Sequence, residues 1–139
     1  MIIGQFNHNL DTKNRLMIPA KIRANINTSV VITLSVDGCL EVRTLDEFNI
    51  FTEKFTNIDS SSERERIISR WIFANSQMVD IDSANRILIP NNLSNKANIK
   101  NETLIIGLKH KIEVWNPAIF NEKQQDAELN IKNLFNKDE

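Results

Sequence analysis

The chain carries an internal repeat, which restricts its possible folds more than any other feature. Residues Asp11 to Pro19 align with residues Asp82 to Pro90 at a single offset of 71 positions, with Asp, Asn, Arg, three apolar residues and Pro matching in order. Weaker similarity continues through a hairpin pattern and a helical pattern in each half. A repeat at one offset indicates two copies of the same supersecondary unit.

Each copy is predicted to form a ββαββα module. In the first copy, the apolar positions of Ile2 to Leu10 are typical of a strand, and a polar turn leads into a short return strand at Arg15 to Ile18. Pro19 then begins a helical turn, where its missing N–H is not needed. The dipeptide Asp37-Gly38 lies between two apolar runs and predicts a tight hairpin with positive φ at both residues.

Three longer helices are predicted from N-terminal capping residues that are followed by apolar stripes. Thr44 precedes the first helix, a Ser-rich segment at residues 59–62 precedes the second, and Asn116 with Pro117 precedes the third. The inward-facing side chains are predicted to be Leu45, Phe48, Phe51 and Phe55 in the first helix, Ile67, Ile68, Trp71, Ile72 and Met78 in the second, and Phe120, Ala127, Ile131, Leu134 and Phe135 in the third.

The two modules are expected to share one core. The chain has 139 residues, so each half is too small to enclose a core of its own. We therefore expect the modules to interleave into one barrel of the α+β class, in which each half covers the edge strands of the other. Trp71 and Trp115 are expected to anchor this core or an interface, and Cys39 to be buried as a small apolar residue.

The composition argues against several functional classes. Three glycines cannot supply a dinucleotide-binding or phosphate-binding loop, and the G-x-S-x-G motif of many hydrolases is missing, so we do not expect an enzyme. One cysteine and two isolated histidines predict that there is no metal site and no cofactor. Apolar runs stay well below the roughly 18 residues of a membrane span, and the N-terminus lacks a secretion-signal pattern, so we expect an intracellular protein.

Charge is segregated along the chain. The whole sequence is nearly neutral, with 17 basic and 18 acidic residues. The window from Leu10 to Val30, in contrast, holds four cations and one anion, which gives it a net charge of +3. A local basic segment can form a nucleic-acid-binding face even in a neutral protein.

The Asp-x-x-x-Arg spacing fits a tight turn between two strands. Asp11 and Asp82 can each accept backbone N–H bonds within such a turn and pair with the arginine four residues later. Asn14 and Asn85 stand directly before these arginines, and asparagine tolerates positive φ better than other non-glycine residues. We therefore predict that these four residues shape the two turns.

The residues from Asp11 to Arg23, their weaker copy from Asp82 to Leu93 and the length of the chain resemble the MraZ family, which has two tandem SpoVT-AbrB domains. The resemblance covers nearly the whole chain. It implies a swapped, double-split β-barrel of the AbrB type, with the two domains at residues 5–47 and 77–120, linking helices at 48–76 and a C-terminal helix at 121–139.

The same resemblance implies a function. It implies a transcriptional regulator of the division and cell-wall gene cluster, which binds repeated double-stranded promoter sites as a ring-shaped homo-oligomer in the cytoplasm and nucleoid. It implies no cofactor, membrane or small-molecule substrate. In the family, DNA is bound through the loop that carries the Asp-x-x-x-Arg motif. The family usually has glycine where Asn14 and Asn85 stand.

Residue roles in DNA binding follow from that resemblance. We predict that Lys13, Lys21 and Arg23 contact phosphates and that Arg15 reads a guanine edge. Arg86 either joins this site or only braces its own turn. The second copy is poorer in cations, since it has Ala84, Asn91, Asn92 and Ser94 where the first has Lys13, Ala20, Lys21 and Arg23.

Two other functions stay open at this point. The barrel could be a non-enzymatic protein-interaction or assembly module whose basic loop docks an acidic partner. A small hydrolase is the third possibility, although no two carboxylates are placed by the sequence to share a proton. Steeply salt-dependent binding to DNA distinguishes a DNA-binding regulator from a protein-interaction module, because neutralised phosphates release counterions.

Overall fold

The fold consists of eight strands and six helices in a computed structural model that describes residues 1–23, 28–55 and 59–136. Both modules follow the predicted ββαββα order, with α3 between them and α6 after the second. In chain order the elements are β1 (Ile2–Asn9), β2 (Arg15–Met17), α1 (Ala20–Arg23), β3 (Ser29–Leu34), β4 (Leu40–Thr44), α2 (Leu45–Phe55), α3 (Glu63–Ala74), β5 (Ser76–Asp80), β6 (Arg86–Leu88), α4 (Asn91–Lys96), β7 (Glu102–Lys109), β8 (Ile112–Trp115), α5 (Pro117–Glu128) and α6 (Ile131–Asn136).

The strands of the two repeats are interleaved. A six-stranded antiparallel sheet has the order β1-β7-β8-β4-β3-β5, and β2 pairs with β6 in a separate two-stranded sheet. The first strand of each repeat pairs with the third strand of the other, β1 with β7 and β5 with β3. When each strand is exchanged for its counterpart in the other repeat, the strand order is the original one read from the opposite edge, so the two repeats occupy equivalent positions in the sheet. The predicted interleaving and α+β class are confirmed.

One apolar core joins the two halves. Its fully buried side chains come from β2, β3 and β4 of the first repeat, from β6, α4, β7 and β8 of the second, and from the residue that follows β2 and the one that follows β6. The largest of them are Leu16, Ile18, Ile32, Leu40, Ile87, Ile89, Leu93, Ile105 and Ile112. Since burial of apolar area is the main favourable term in folding, neither repeat keeps its stabilising contacts without the other.

A smaller cluster attaches α5 to the sheet. Trp115 is 5% exposed and packs against Phe120, with ring centroids 5.3 Å apart. Cys39 is fully buried in the same cluster, as the sequence predicts. Burial raises the pKa of the Cys39 thiol to about 12, so the group stays protonated.

The predicted capping residues begin their helices. Glu47 donates its backbone N–H to Thr44 Oγ1 at 3.1 Å before α2, and Glu65 donates to Ser62 Oγ at 3.4 Å at the start of α3. Asn116 Oδ1 accepts from two backbone N–H groups of α5, which begins with Pro117. These bonds satisfy N–H groups that have no partner within the helix.

The predicted hairpin conformation is wrong in one respect. Gly38 has a φ of 91°, whereas Asp37 is not among the residues with positive φ. The backbone N–H of Ser35 donates to the carbonyl of Cys39 at 2.9 Å, and Gly38 N–H donates to the carbonyl of Ser35 at 3.0 Å. The loop therefore has three residues rather than two, and a loop of that length needs the left-handed conformation only at its last position.

All three predicted helical stripes are wrong in part. In α2, Leu45 and Phe55 are 38% and 50% exposed, and in α3, Ile67 and Trp71 are 53% and 38% exposed. Helix α3 ends at Ala74, so Met78 lies in β5 and is 60% exposed. The C-terminal helix is interrupted after Glu128, and the α6 side chains predicted to face inward are exposed: Ile131, Leu134 and Phe135. The α5 residues that pack on the sheet, Ile119 and Phe120, lie near the start of that helix. Helix α6 follows the end of α5 and therefore lies beyond this cluster.

Every helix in the described residues is too short or too polar to cross a lipid bilayer.

Candidate nucleic-acid interface

Asp11 closes the first Asp-x-x-x-Arg turn. Its Oδ1 accepts hydrogen bonds from the backbone N–H groups of Lys13 and Arg15, both at 2.9 Å, and its Oδ2 accepts from Arg15 Nε at 2.7 Å. Asn14 has the predicted left-handed conformation, with a φ of 61°. The arginine side chain is thus held by a carboxylate that is itself fixed to the backbone of the turn.

Asp82 closes the second turn in the same way. Its Oδ1 accepts from the backbone N–H groups of Ala84 and Arg86, both at 2.9 Å, and its Oδ2 accepts from Arg86 Nε at 2.9 Å. Asn85 has a φ of 62°. The two turns therefore present one guanidinium each in the same local geometry.

The two turns lie at opposite ends of the short antiparallel ladder that β2 and β6 form, because Arg15 pairs with Leu88 and Arg86 pairs with Met17. Leu16 faces Ile87 at the centre of this short ladder, and each residue sits at the matching position of its repeat. Each turn also accepts a backbone bond from the other repeat: Ile18 N–H donates to the Asn85 carbonyl at 2.8 Å, and Ile89 N–H donates to the Asn14 carbonyl at 2.9 Å.

Both arginines lie on the outer face of the β2–β6 ladder. Side chains alternate between the two faces of a strand, and Leu16 and Ile87 are fully buried on the inner face. The Arg15 and Arg86 side chains retain 28% and 30% exposure. Arg86 Nη1 lies 3.9 Å from Asp11 Oδ2, so the two guanidinium groups flank one carboxylate.

The carboxylates of both turns stay ionised well into the acid range. Hydrogen bonds from the backbone N–H groups, first among them that of Arg15, hold the pKa of Asp11 below its usual value. Asp82 has its pKa lowered for the same reason, with Arg86 as the leading donor. Each arginine therefore has an anionic partner at neutral pH.

The remaining residues that the sequence predicts to bind DNA differ in their surroundings. Lys13 is exposed in the first turn. Arg23 lies against the second turn rather than its own, and donates from Nε to Asn85 Oδ1 at 3.0 Å. The side chain of Lys21 lies outside the described residues.

Sequence reasoning missed the contribution of Asn91. Asn14 donates from Nδ2 to Asn91 Oδ1 at 2.7 Å, which ties the first turn to the start of α4. The signal was present in the repeat alignment, where a polar Asn91 replaces the apolar Ala20 directly after the shared proline.

The arrangement is suited to recognising planar or anionic oxygen acceptors. In the described residues, Arg15 uses only Nε in a hydrogen bond or ion pair, so both of its Nη groups can bind a ligand. A guanidinium fork matches phosphate oxygens and the O6/N7 edge of guanine. His, Cys, Asp and Glu side chains within the described ranges do not gather in threes that could hold a metal ion.

Comparison with known proteins assigns the repeats. The family model described as "MraZ protein, putative antitoxin-like" matches the chain twice, at residues 1–71 and 72–139. The chain belongs to the MraZ family. The boundary between the two MraZ matches falls within α3, so each match contains one Asp-x-x-x-Arg turn.

Curated MraZ relatives match over most of their length. A protein of Mycoplasmoides gallisepticum is 48% identical over 115 residues, which cover 83% of this chain and 81% of the relative. A protein of Ureaplasma urealyticum is 37% identical over 139 residues, covering 99% and 96%, and one of Pediococcus pentosaceus is 34% identical over 134 residues, covering 96% and 94%. All three are named Transcriptional regulator MraZ.

Proposed function

We propose that this protein is a transcriptional regulator that binds double-stranded promoter DNA through its two Asp-x-x-x-Arg turns. The observation that carries the proposal is the pair of aspartate-braced arginines on one exposed face. A braced guanidinium loses little conformational freedom on binding, and such preorganisation favours affinity. The names of the relatives support the same function.

Each cation has a distinct role in this proposal. Arg15 reads a guanine edge with its two Nη groups, and such a bidentate contact discriminates between bases by ~1–3 kcal/mol. Lys13, Lys21 and Arg23 contact phosphates and fix the position of the protein on the duplex. Arg86 adds a second guanidinium to the same face.

The chain acts as a ring-shaped homo-oligomer on repeated sites in this proposal. A protomer with so few cations binds DNA weakly by itself. Linked copies gain effective concentration, which raises affinity for a repeated site by ~10²–10⁴. The proposed targets are the promoters of the division and cell-wall gene cluster, which places the protein in the nucleoid.

The proposed protomer architecture is a swapped double-split barrel. Its domains occupy residues 5–47 and 77–120, with the linking helices at 48–76 and the C-terminal helix at 121–139. The exchange of first strands between the repeats and the β2–β6 pairing support this architecture.

Binding to the DNA upstream of the gene tests the function. Titration by gel shift at two salt concentrations is expected to give steep salt dependence and preference over a scrambled duplex. Arg15→Ala is expected to lower specific affinity by about 5- to 150-fold, since ~1–3 kcal/mol of recognition is lost. Arg70→Ala, which removes an exposed arginine of α3, serves as the matched control and should bind normally.

Two results would contradict the proposal. Equal binding by Arg15→Ala and the unaltered protein would remove Arg15 from the interface. A protein that ignores DNA at low salt but binds an acidic protein surface would instead be an interaction module.

A further inference from the structure

An apolar groove runs between α2 and α3 beside the β3–β4 hairpin. It has a volume of about 570 Å³ and is lined mainly by Leu34, Phe51, Phe55, Ile67, Trp71 and Ile72. Three of these side chains are well exposed: Phe55 at 50%, Ile67 at 53% and Trp71 at 38%. Contiguous exposed apolar surface of this kind marks interaction sites in soluble proteins.

Helix α6 carries a second apolar surface. Ile131, Leu134 and Phe135 follow the i, i+3, i+4 spacing that places side chains on one face of a helix. They are 46%, 45% and 81% exposed, and Leu129 in the preceding turn is 89% exposed. Helix α6 contacts the end of α5, and its apolar side chains stay in solvent.

Within one protomer the groove and α6 do not cover each other. Lys123 of α5 donates from Nζ to the carbonyl of Asp37 at 2.7 Å, which anchors the middle of α5 beside one end of the groove. Two residues, Leu129 and Asn130, separate α5 from α6, and the lining of the groove in the described residues includes no residue of α6. The same chain therefore exposes an open apolar groove and an apolar helix of matching character.

We propose that α6 of one copy binds the α2–α3 groove of a neighbouring copy. The occupant is a second copy of the chain, because each copy carries an exposed apolar helix that matches the apolar lining of the groove. Groove and helix are different surfaces, so the contact is heterologous and generates a ring when its rotation closes. This inference rests on the proposed homo-oligomer and names its interface.

The size of the contact is consistent with one part of a stable interface. A buried phenylalanine removes roughly 150–250 Å² from water, and a stable interface buries roughly 800 Å² per partner. Phe135 with Ile131 and Leu134 supplies a large share of that area. Of the three aromatic side chains in the groove, Phe55 and Trp71 are the exposed ones that the helix would cover.

Cross-linking between copies tests this interface. Phe55→Cys and Phe135→Cys are made in separate chains whose tags differ in length, so that a cross-linked pair is recognised by its size. Cys39 can stay in place, because it is buried and does not react with a maleimide in the folded protein. A short bifunctional maleimide is expected to join one copy of each kind. A chain with both substitutions is expected to give a ladder of multimers.

Two cross-linking results would overturn the inference. One is a mixture in which copies of different tag length are not joined. The other is a doubly substituted chain that becomes linked only within itself, because α6 would then occupy its own groove. In either case a wild-type ring detected by light scattering leaves the proposed function intact.

A charge placed on α6 gives an independent measurement. Phe135→Glu is expected to shift the light-scattering mass towards the monomer and to weaken binding to a repeated site by ~10²-fold or more, because linked contacts are lost. Binding to a duplex with one repeat should stay unchanged. Ile50→Glu is the matched control, since Ile50 is 48% exposed on α2 outside the groove.

The outcomes of this measurement separate the two proposals. An unchanged ring in Phe135→Glu overturns the α6 contact and leaves the ring. A wild-type protein that is monomeric at all concentrations overturns both the ring and its interface. Loss of binding to the single repeat in Phe135→Glu would also count against the inference, because α6 would then affect the DNA site itself.

Discussion

At the scale of single residues, an aspartate gives each turn its shape and its charge balance together. One oxygen of Asp11 binds two backbone N–H groups, and the other binds the arginine side chain. Asp82 repeats every one of these bonds. The carboxylate therefore couples the conformation of the backbone to the position of the guanidinium, which makes it a determinant of both stability and recognition.

The stability of the fold is expected to depend on Asp11 at acid pH. Since the pKa of Asp11 is lowered by folding, its contribution is complete above the ordinary value of 3.8 and is lost as pH falls through the lowered folded pKa. Asp11→Asn should reduce stability at neutral pH and flatten its dependence on pH below about 4. Urea unfolding between pH 2 and 7 measures this effect, with Asp126→Asn on α5 as the control; parallel curves for the wild type and Asp11→Asn would contradict it.

A cation added to the second turn is expected to strengthen DNA binding. Ala84 is exposed at the position equivalent to Lys13. Ala84→Lys should steepen the slope of log affinity against log salt concentration by about 0.9 for each protomer that gains one phosphate contact. Ala118→Lys on α5 adds the same charge away from the turns and should change the slope little. Equal slopes for the two variants would show that the second turn does not approach DNA.

At the scale of elements, the backbones of β1 and β7 approach each other closely at one position. Gly107 of β7 faces Gly4 of β1, and a Cβ added to Gly107 would lie 2.7 Å from the backbone nitrogen of Ile3. A backbone atom cannot rotate away as a side chain can. The pairing that joins the first strand of one repeat to the third of the other thus depends on a missing side chain.

Gly107→Ala is expected to destabilise the protein. Relieving the contact requires β1 and β7 to separate, and overpacking of this kind costs about 1–3 kcal/mol. Chemical unfolding measures the loss. Leu108→Ala is the control, because that neighbouring side chain is 43% exposed. Gly107→Ala with an unchanged midpoint would mean that the strands can separate without loss of packing.

The sequence predicts local elements well where a single residue decides the geometry. Asn14 and Asn85 indicated left-handed turns, and Thr44 indicated a helix start, because each acts through its own backbone neighbours. Long-range facts were harder. The exposure of α6 depends on where the sheet surface ends, and the bonds of Asn91 and Arg23 to the opposite turn depend on the β2–β6 pairing. Local patterns do not contain that information, and only the comparison of the two repeats singles out Asn91.

At the scale of the whole molecule, each repeat completes the other. The sheet order places strands of the second repeat at β7 and β8 between β1 and β4 of the first, and the core takes side chains from both. Most pairing is therefore between residues far apart in the chain. Interleaving of this kind predicts that the two repeats fold as one unit.

The two halves are expected to fold only together. Residues 1–58 and 59–139, produced as separate chains, should each lack a cooperative unfolding transition, because β1 and β5 have lost their partners. Mixing them should restore β-sheet circular dichroism and a single transition. A half that unfolds cooperatively by itself would show that its core is independent.

The pairing of β2 with β6 also limits how this protein can change over evolutionary time. Leu16 and Ile87 form the centre of a ladder of three residues in each strand. A residue inserted into either strand would shift the register by one and move a buried side chain to the surface. Mutations that exchange outer side chains, such as those at Met17 and Leu88, leave that register intact. New binding preferences can therefore arise by substitution along this ladder, whereas insertions and deletions there are selected against.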